Sequence, residues 1–327
     1  ILTLLTQTNL EQSAGYGEDA YCLQAASYIK QYLQAPQAAI HFVSGGTQSN
    51  TVIIKSVLRP HEAVIAAQSG HIAVHETGAI EATGHKVIPV NNYAGKINPS
   101  DIRKVFDAHM LSYEHMVYPK MVYISNPTEV GTIYSKAELT ALSETCHKYG
   151  LYLFLDGARL GYGLAAPDND LTLPEIAALC DVFYIGGTKV GALFGEAVVI
   201  KNPELAQDFR YLIKQNGGML AKGRLLGLQF DALFTDGLYQ EISAHAIAMA
   251  EKLREAFTAK GYNYLAPNRT NQIFVIVPDA HLAKISEQFE YSYDQRIDAT
   301  HSCVRFCTSW ATKEENVDAL IRCVEKL

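Results

Sequence analysis

Through the first two-thirds of the chain, short apolar runs alternate with helix-like patterns, and this alternation restricts the fold more than any other feature. Ala39–Val43 is an apolar run that passes into Ser44-Gly-Gly-Thr47. Thr47–Leu58 then reads as a helix, stopped by Pro60. Ala63–Ala67 is a second short run, followed by a predicted helix over His71–Thr83 that ends at Gly84. Met121–Ser125 is a strand candidate. Ser135-Lys-Ala-Glu138 has the spacing of a capping box and opens a helix. Leu139, Leu142 and Cys146 give that helix its apolar face, and Gly150 its stop. Leu151–Leu155, Val182–Ile185 and Ala197–Ile200 complete the set of predicted strands. Parallel strands need helical crossovers, so this order predicts an α/β fold: a mostly parallel sheet covered by helices on both faces.

The last third reads differently. Ala244–Lys260 predicts a long helix with Ala246, Ala250, Leu253 and Phe257 on one face, closed by Gly261. Asn271–Val277 and Val304–Cys307 read as strands, and Asn316–Leu327 as a terminal helix with Val317, Leu320, Ile321, Val324 and Leu327 aligned. The expected organisation is a large domain over residues 1–236 and a smaller α+β domain over 237–327. With 27 basic against 34 acidic side chains the net charge is −7, which argues against a nucleic-acid footprint. No apolar run reaches the length of a spanning helix, and the opening ILTLLTQTNL has no basic region of the kind that leads a signal peptide. The six cysteines are spread widely with no C-x-x-C pair, so reduced thiols and a cytoplasmic location are expected. Cys303 and Cys307 are four apart, but no further zinc ligand lies at suitable spacing, and no metal site is expected.

Ligands of parallel sheets bind beyond the carboxyl ends of the strands, and four segments place reactive groups there. Ser44-Gly-Gly-Thr-Gln-Ser49 lies between a strand and a helix, where backbone N–H groups and hydroxyls can hold a phosphate or simply make a turn. Asp156-Gly-Ala-Arg159 follows a strand directly. Asp156 can pair with a protonated ring nitrogen or a metal, or cap a helix; Arg159 can grip a carboxylate or form a surface ion pair. Gly186-Gly-Thr188-Lys189 puts a lysine among apolar and glycine neighbours, where desolvation would make its amine a nucleophile able to form a Schiff base. His71 and His75 lie four apart, open to a structural role, a metal or stacking on a planar cofactor. Taken together, a phosphate cradle, a carboxylate for a ring nitrogen, an imine-forming lysine and a stacking ring are what pyridoxal 5'-phosphate requires.

These segments resemble the low-specificity L-threonine aldolases, in the branch that includes phenylserine-cleaving enzymes. The likeness rests on Gly15-Tyr-Gly-Glu-Asp19, His71 with Glu76-Thr-Gly78, Asp156-Gly-Ala-Arg-Leu160 and Gly186-Gly-Thr-Lys189. Gly195-Glu196, Lys214-Gln215 with Lys222, and Val304-Arg305-Phe306 with Ser309-Trp310 extend it over nearly the whole chain.

The resemblance implies a fold type I (aspartate-aminotransferase-like) large domain with a smaller C-terminal one, and pyridoxal 5'-phosphate as cofactor. It implies that Lys189 forms the imine with the cofactor, Asp156 keeps the ring nitrogen protonated and His71 stacks on the ring. Gly46, Thr47, Gln48 and Thr188 would hold the phosphate, with Lys222 reaching it from a neighbouring subunit. Arg159 and Arg305 would take the substrate carboxylate, and His71 or Glu129 would act as base. Glu129 is a departure, because many family members carry a histidine in that loop. A second concerns the N-terminus, which lacks an initiator Met. The family has a short preceding segment with a serine that helps hold the substrate, and this sequence is expected to start after it.

The implied reaction is retro-aldol cleavage of L-threonine, L-allo-threonine or phenylserine-like β-hydroxy-α-amino acids to glycine and an aldehyde, by a carbon–carbon lyase. The expected partner is this small-molecule substrate, with no nucleic acid and no membrane, in a homodimer or homotetramer with shared sites. The alternatives are another fold type I reaction, such as β-elimination or transamination, or a non-catalytic α/β binding protein. Desulfuration is disfavoured because no cysteine lies in these motifs.

Overall fold

The computed structural model describes residues 1–91 and 93–327. Helix α1 (Ala20–Tyr32) is capped by Asp19, whose side chain accepts from the Cys22 N–H. Strand β1 (Ala39–Val43) leads through Ser44 and Gly45 into α2 (Gly46–Val57). Strands β2 (Glu62–Ala67) and β3 (Lys86–Val90) precede α3 (Pro99–Ser112), which opens on a capping box of Asn98 and Asp101. After β4 (Tyr118–Ser125), helix α4 (Lys136–Tyr149) begins with the predicted Ser135–Glu138 box and ends at Gly150, φ 65°. A side chain there would be strained, which is why glycine ends the helix. Strands β5 (Tyr152–Asp156), β6 (Val182–Gly186) and β7 (Glu196–Ile200) follow.

These seven strands form one sheet in the order β1-β7-β6-β5-β4-β2-β3. Every neighbour pair is parallel except those of β7, which runs antiparallel to both β1 and β6. Side chains alternate between the two faces, as strand geometry requires. Val122, Ile124, Leu153, Leu155, Phe183 and Ile185 enter one core, beneath α1 and α4. Met121, Tyr123, Phe154, Val182, Tyr184, Val198 and Ile200 enter the other, beneath α2. A sheet buried on both faces explains why its strands read as continuous apolar runs.

One predicted element is shorter than expected. The helix over His71–Thr83 is a single turn, His71–Val74, with a separate 3-10 turn at Glu81–Thr83. Between them Thr77 (φ 53°) and Gly78 (φ 71°) take left-handed conformations, which a right-handed helix cannot continue through.

In the last third, α5 (Arg224–Phe234) packs on α1, and α6 (Leu238–Ala259) starts earlier than the periodicity predicted, just after Gly237. Tyr239, fully buried, anchors that first turn by donating its hydroxyl to the Gly186 carbonyl at 2.9 Å. A second sheet is antiparallel throughout: β10 (Ser292–Arg296), β11 (His301–Cys307), β9 (Gln272–Pro278) and β8 (Asn263–Tyr264). Helix α6 gives Ala246 and Ile247 to the large sheet's core. Its later residues Met249, Ala250, Leu253 and Phe257 join β9, β11 and the terminal helix α7 (Glu314–Glu325) in a third core.

Candidate active site

Strands β4, β5 and β6 end at one edge of the large sheet, and β7 begins there. Ser125 pairs with Asp156, Gly186 with Glu196, and Glu196 with Val43 of β1. The two-residue alternation places Ser125, Asp156 and Glu196 on the α2 face, the same face as Tyr123, Phe154 and Val198. A cleft of about 150 Å³ opens there. Of the predicted residues it brings together Gly46, Thr47, His71, Glu129, Asp156, Arg159, Thr188 and Lys189.

Hydrogen bonds tie the floor of this cleft into one network. His71 Nδ1 donates to Glu76 Oε1 at 2.7 Å, and Asn50 Nδ2 donates to the same oxygen at 2.7 Å. Asn50 Nδ2 also reaches Asp156 Oδ2 at 3.3 Å. The Tyr123 hydroxyl donates to Asp156 Oδ2 at 2.5 Å, and the Ala158 N–H to Oδ1 at 3.0 Å. Beside it, Glu129 Oε1 accepts from Ser125 Oγ at 2.6 Å and from the His71 N–H at 2.9 Å. The Nδ1–H bond to Glu76 leaves Nε2 of His71 as the nitrogen free for chemistry.

The environment moves several titrations. The Glu76 hydrogen bond raises the His71 pKa against the opposing effect of burial. Burial raises the Glu129 carboxyl, although Ser125 counters part of that. Lys189 is lowered by burial and by the Arg159 cation, with Asp156 and Glu196 opposing. A desolvated amine beside a cation is the setting that makes a lysine nucleophilic.

The residues present fit pyridoxal phosphate. Helix α2 has Gly45 as its N-cap and no capping side chain, so its first N–H groups are open to an anion. A Cβ at Gly46 would stand 3.3 Å from the Tyr184 hydroxyl, so a larger residue would crowd this cradle. Asp156 is a buried carboxylate fixed by three donors, and Lys189 offers an amine and His71 a ring in the same lining. Among the described residues no group of three or more His, Cys, Asp or Glu is placed to hold a metal ion.

Three predicted residues lie outside the lining. Gln48 folds back on its own loop: its Oε1 accepts from Ser44 N and Oγ at 3.0 and 2.9 Å, and its Nε2 donates to the Asn216 carbonyl. Lys222 is exposed in the turn before α5. Arg305, half-buried on β11, donates to Gln272 Oε1 at 3.2 Å and to Ser292 Oγ at 3.4 Å. His75, expected to share a helical face with His71, is exposed, its ring 5.5 Å from that of His71.

Sequence reasoning missed Glu76, Asn50, Tyr123 and Ser125 as parts of this network, and Glu196 and Tyr184 in the lining. Asn50 lies in the polar run Thr47–Thr51, so nothing local marked it; the available signal was Glu196, a carboxylate opening the apolar run Ala197–Ile200. The loop after β11 also reaches the site: the Trp310 N–H donates to the Tyr162 hydroxyl, which donates to the Lys189 carbonyl at 2.5 Å.

With this geometry in hand, the comparisons with known proteins converge. A family model described as beta-eliminating lyase matches residues 5–280. A low specificity L-threonine aldolase of Pseudomonas sp. (strain NCIMB 10558) is 30% identical over 324 residues, covering 97% of this chain and 90% of that protein. The enzyme of the same description from Pseudomonas aeruginosa is 29% identical over 323 residues, with 97% and 91% covered. Among solved structures, Leishmania major threonine aldolase superposes with a TM-score of 0.97 at 46% identity, covering 99% of this chain and 94% of that one. A Thermus thermophilus aspartate aminotransferase, TM-score 0.70 at 16% identity with 99% and 86% covered, shares the fold.

Proposed function

The chain belongs to the beta-eliminating lyase family, among the threonine aldolases, as a pyridoxal-phosphate-dependent carbon–carbon lyase, and from that premise we propose its substrates and residue roles. It cleaves L-threonine and L-allo-threonine, or phenylserine-like β-hydroxy-α-amino acids, to glycine and the matching aldehyde. The observation that carries this reading is that the His71 ring and Glu129, whose Oε1 accepts from the His71 backbone N–H at 2.9 Å, line the cleft that also holds Lys189. Two candidate bases there can take a proton from a β-hydroxyl, which elimination and transamination do not require.

When bound, the cofactor supplies an electron sink for the pair left on Cα as the Cα–Cβ bond breaks. Lys189 attaches it, Asp156 offers a carboxylate to its protonated ring nitrogen, and the α2 N-terminus with Gly46, Thr47 and Thr188 receives its phosphate. Arg159 docks the substrate carboxylate through its planar guanidinium. Glu129 or His71 Nε2 takes the β-hydroxyl proton. Cα takes up a proton in exchange for the one lost from the β-hydroxyl, and glycine leaves as Lys189 resumes its place.

We also infer a homodimer or homotetramer in the cytoplasm. The exposure of Lys222 outside its own cleft supports that reading, since it leaves the amine available to a neighbouring copy. All six cysteines are free thiols, the state a reducing compartment maintains.

The test is to offer L-threonine, L-allo-threonine, phenylserine and L-serine to protein loaded with cofactor. Glycine with acetaldehyde or benzaldehyde is expected. Pyruvate and ammonia from serine, with no glycine from the others, would establish elimination instead.

A further inference from the structure

We propose that Glu196 is a positioning residue for Lys189: its carboxyl pins the turn that carries the amine and sets a negative charge in the same cleft. This rests on the reading of Lys189 as the cofactor's point of attachment. Glu196 is the first residue of β7, 3% exposed, and faces the cleft on the same side as Asp156. Its Oε2 accepts the Gly187 N–H at 2.8 Å, and Thr188 adds a side-chain hydrogen bond. The same turn is laced to Gly195. The Thr188 N–H donates to the Gly195 carbonyl at 3.0 Å, and the Gly195 N–H to Thr188 Oγ1 at 3.0 Å. Gly195 itself, at φ 110°, has no room for a side chain, since a Cβ would lie 2.4 Å from Leu226 Cδ2. The residues just before Lys189 are therefore held by the segment that carries Glu196.

The charge arrangement explains why a carboxyl is used for this. The hydrogen bonds to Glu196 come from uncharged groups and offset only part of the loss of its hydration. The ionisable groups whose charges couple to it are Lys189, Asp156, Tyr184 and Tyr239, and Arg159 acts on Lys189 in turn. Lys189 favours its ionised form, and Asp156 opposes ionisation. Burial raises Glu196 to about 7 and lowers Lys189, so the two titrations are moved toward each other. Each ionised group favours the other's charge. Ionised Glu196 supports a positive charge at the Lys189 nitrogen; protonated Glu196 releases it.

The experiment is a pH titration of the visible absorbance of protein loaded with pyridoxal phosphate, without substrate, for the wild type and Glu196→Gln. Glutamine keeps the shape and can still accept from the Gly187 N–H, but carries no charge. The midpoint is expected to fall by about one pH unit in Glu196→Gln. Glu196→Asp, one methylene shorter, moves it the same way by less, and decides the matter if the glutamine variant does not fold. An unmoved midpoint in the variant that folds overturns the inference. A wild type with no visible band at all overturns the cofactor reading instead.

Discussion

Glu196→Gln also has a stability consequence that needs no cofactor. The Glu196 carboxyl titrates at about 7 in the folded protein against 4.5 for an ordinary glutamate, because burial penalises its ionised form. Between these values the folded state holds a proton that the unfolded state has lost. The sign follows: the wild type keeps its full stability below pH 4.5 and loses some as pH rises to about 7. At about 1.4 kcal/mol per pKa unit, the loss is about 3 kcal/mol. Glutamine cannot ionise, so its variant is spared this loss. With an unfolding entropy of roughly 2 cal/mol/K per residue, that corresponds to a Tm difference of about 4 °C for a chain of this size. The assay is thermal denaturation of cofactor-free protein at pH 4.5, 6 and 8, comparing wild type with Glu196→Gln. The Tm difference should shift in the variant's favour by about 4 °C between the lowest and highest pH. A difference that stays constant with pH would refute the claim that Glu196 is ionised at a cost.

Three further outcomes are expected. If Glu129 or His71 is the base, Glu129→Gln or His71→Phe lowers kcat by about 100-fold or more, and near-normal kcat in both would remove the assignment. Because burial raises Glu129, a wild type using it as base loses activity as pH falls through a midpoint above the usual carboxylate range, and Glu129→Gln abolishes that acid limb. Gly157→Ala forces a Cβ to within 1.9 Å of the Tyr184 carbonyl, in a floor made of backbone, and should cost at least about 3 kcal/mol by urea denaturation; an unchanged midpoint would contradict the packing described.

The parts of the site that were legible in the sequence sit where local rules are strong. Asp156, at the last residue of β5, and Lys189, in the loop just after β6, stood out because a buried parallel strand leaves reactive groups only at its carboxyl end. The Ser135–Glu138 capping box and Gly150 fixed the ends of α4 for the same reason, since both act within a few residues. Glu76 and Asn50 were hidden because their role is to meet across space: they are 26 positions apart, and their hydrogen bond exists only once α2 covers the sheet. The helix predicted over His71–Thr83 failed because its periodicity could not reveal that Glu76 turns inward to His71 while Thr77 and Gly78 reverse the backbone. Glu196 was quoted in the family resemblance but given no role. That β7 runs antiparallel, and so delivers its first residue to the site, is a property of the whole sheet.

Carbon–carbon cleavage at the Lys189 cleft is tested most directly by product stoichiometry. Protein loaded with cofactor is given L-threonine, and glycine, acetaldehyde and ammonia are measured together, with Lys189→Ala as the comparison. Glycine and acetaldehyde should appear one to one without ammonia in the wild type, and neither in Lys189→Ala. Ammonia released in step with a keto acid, or glycine formed equally well by Lys189→Ala, would contradict it.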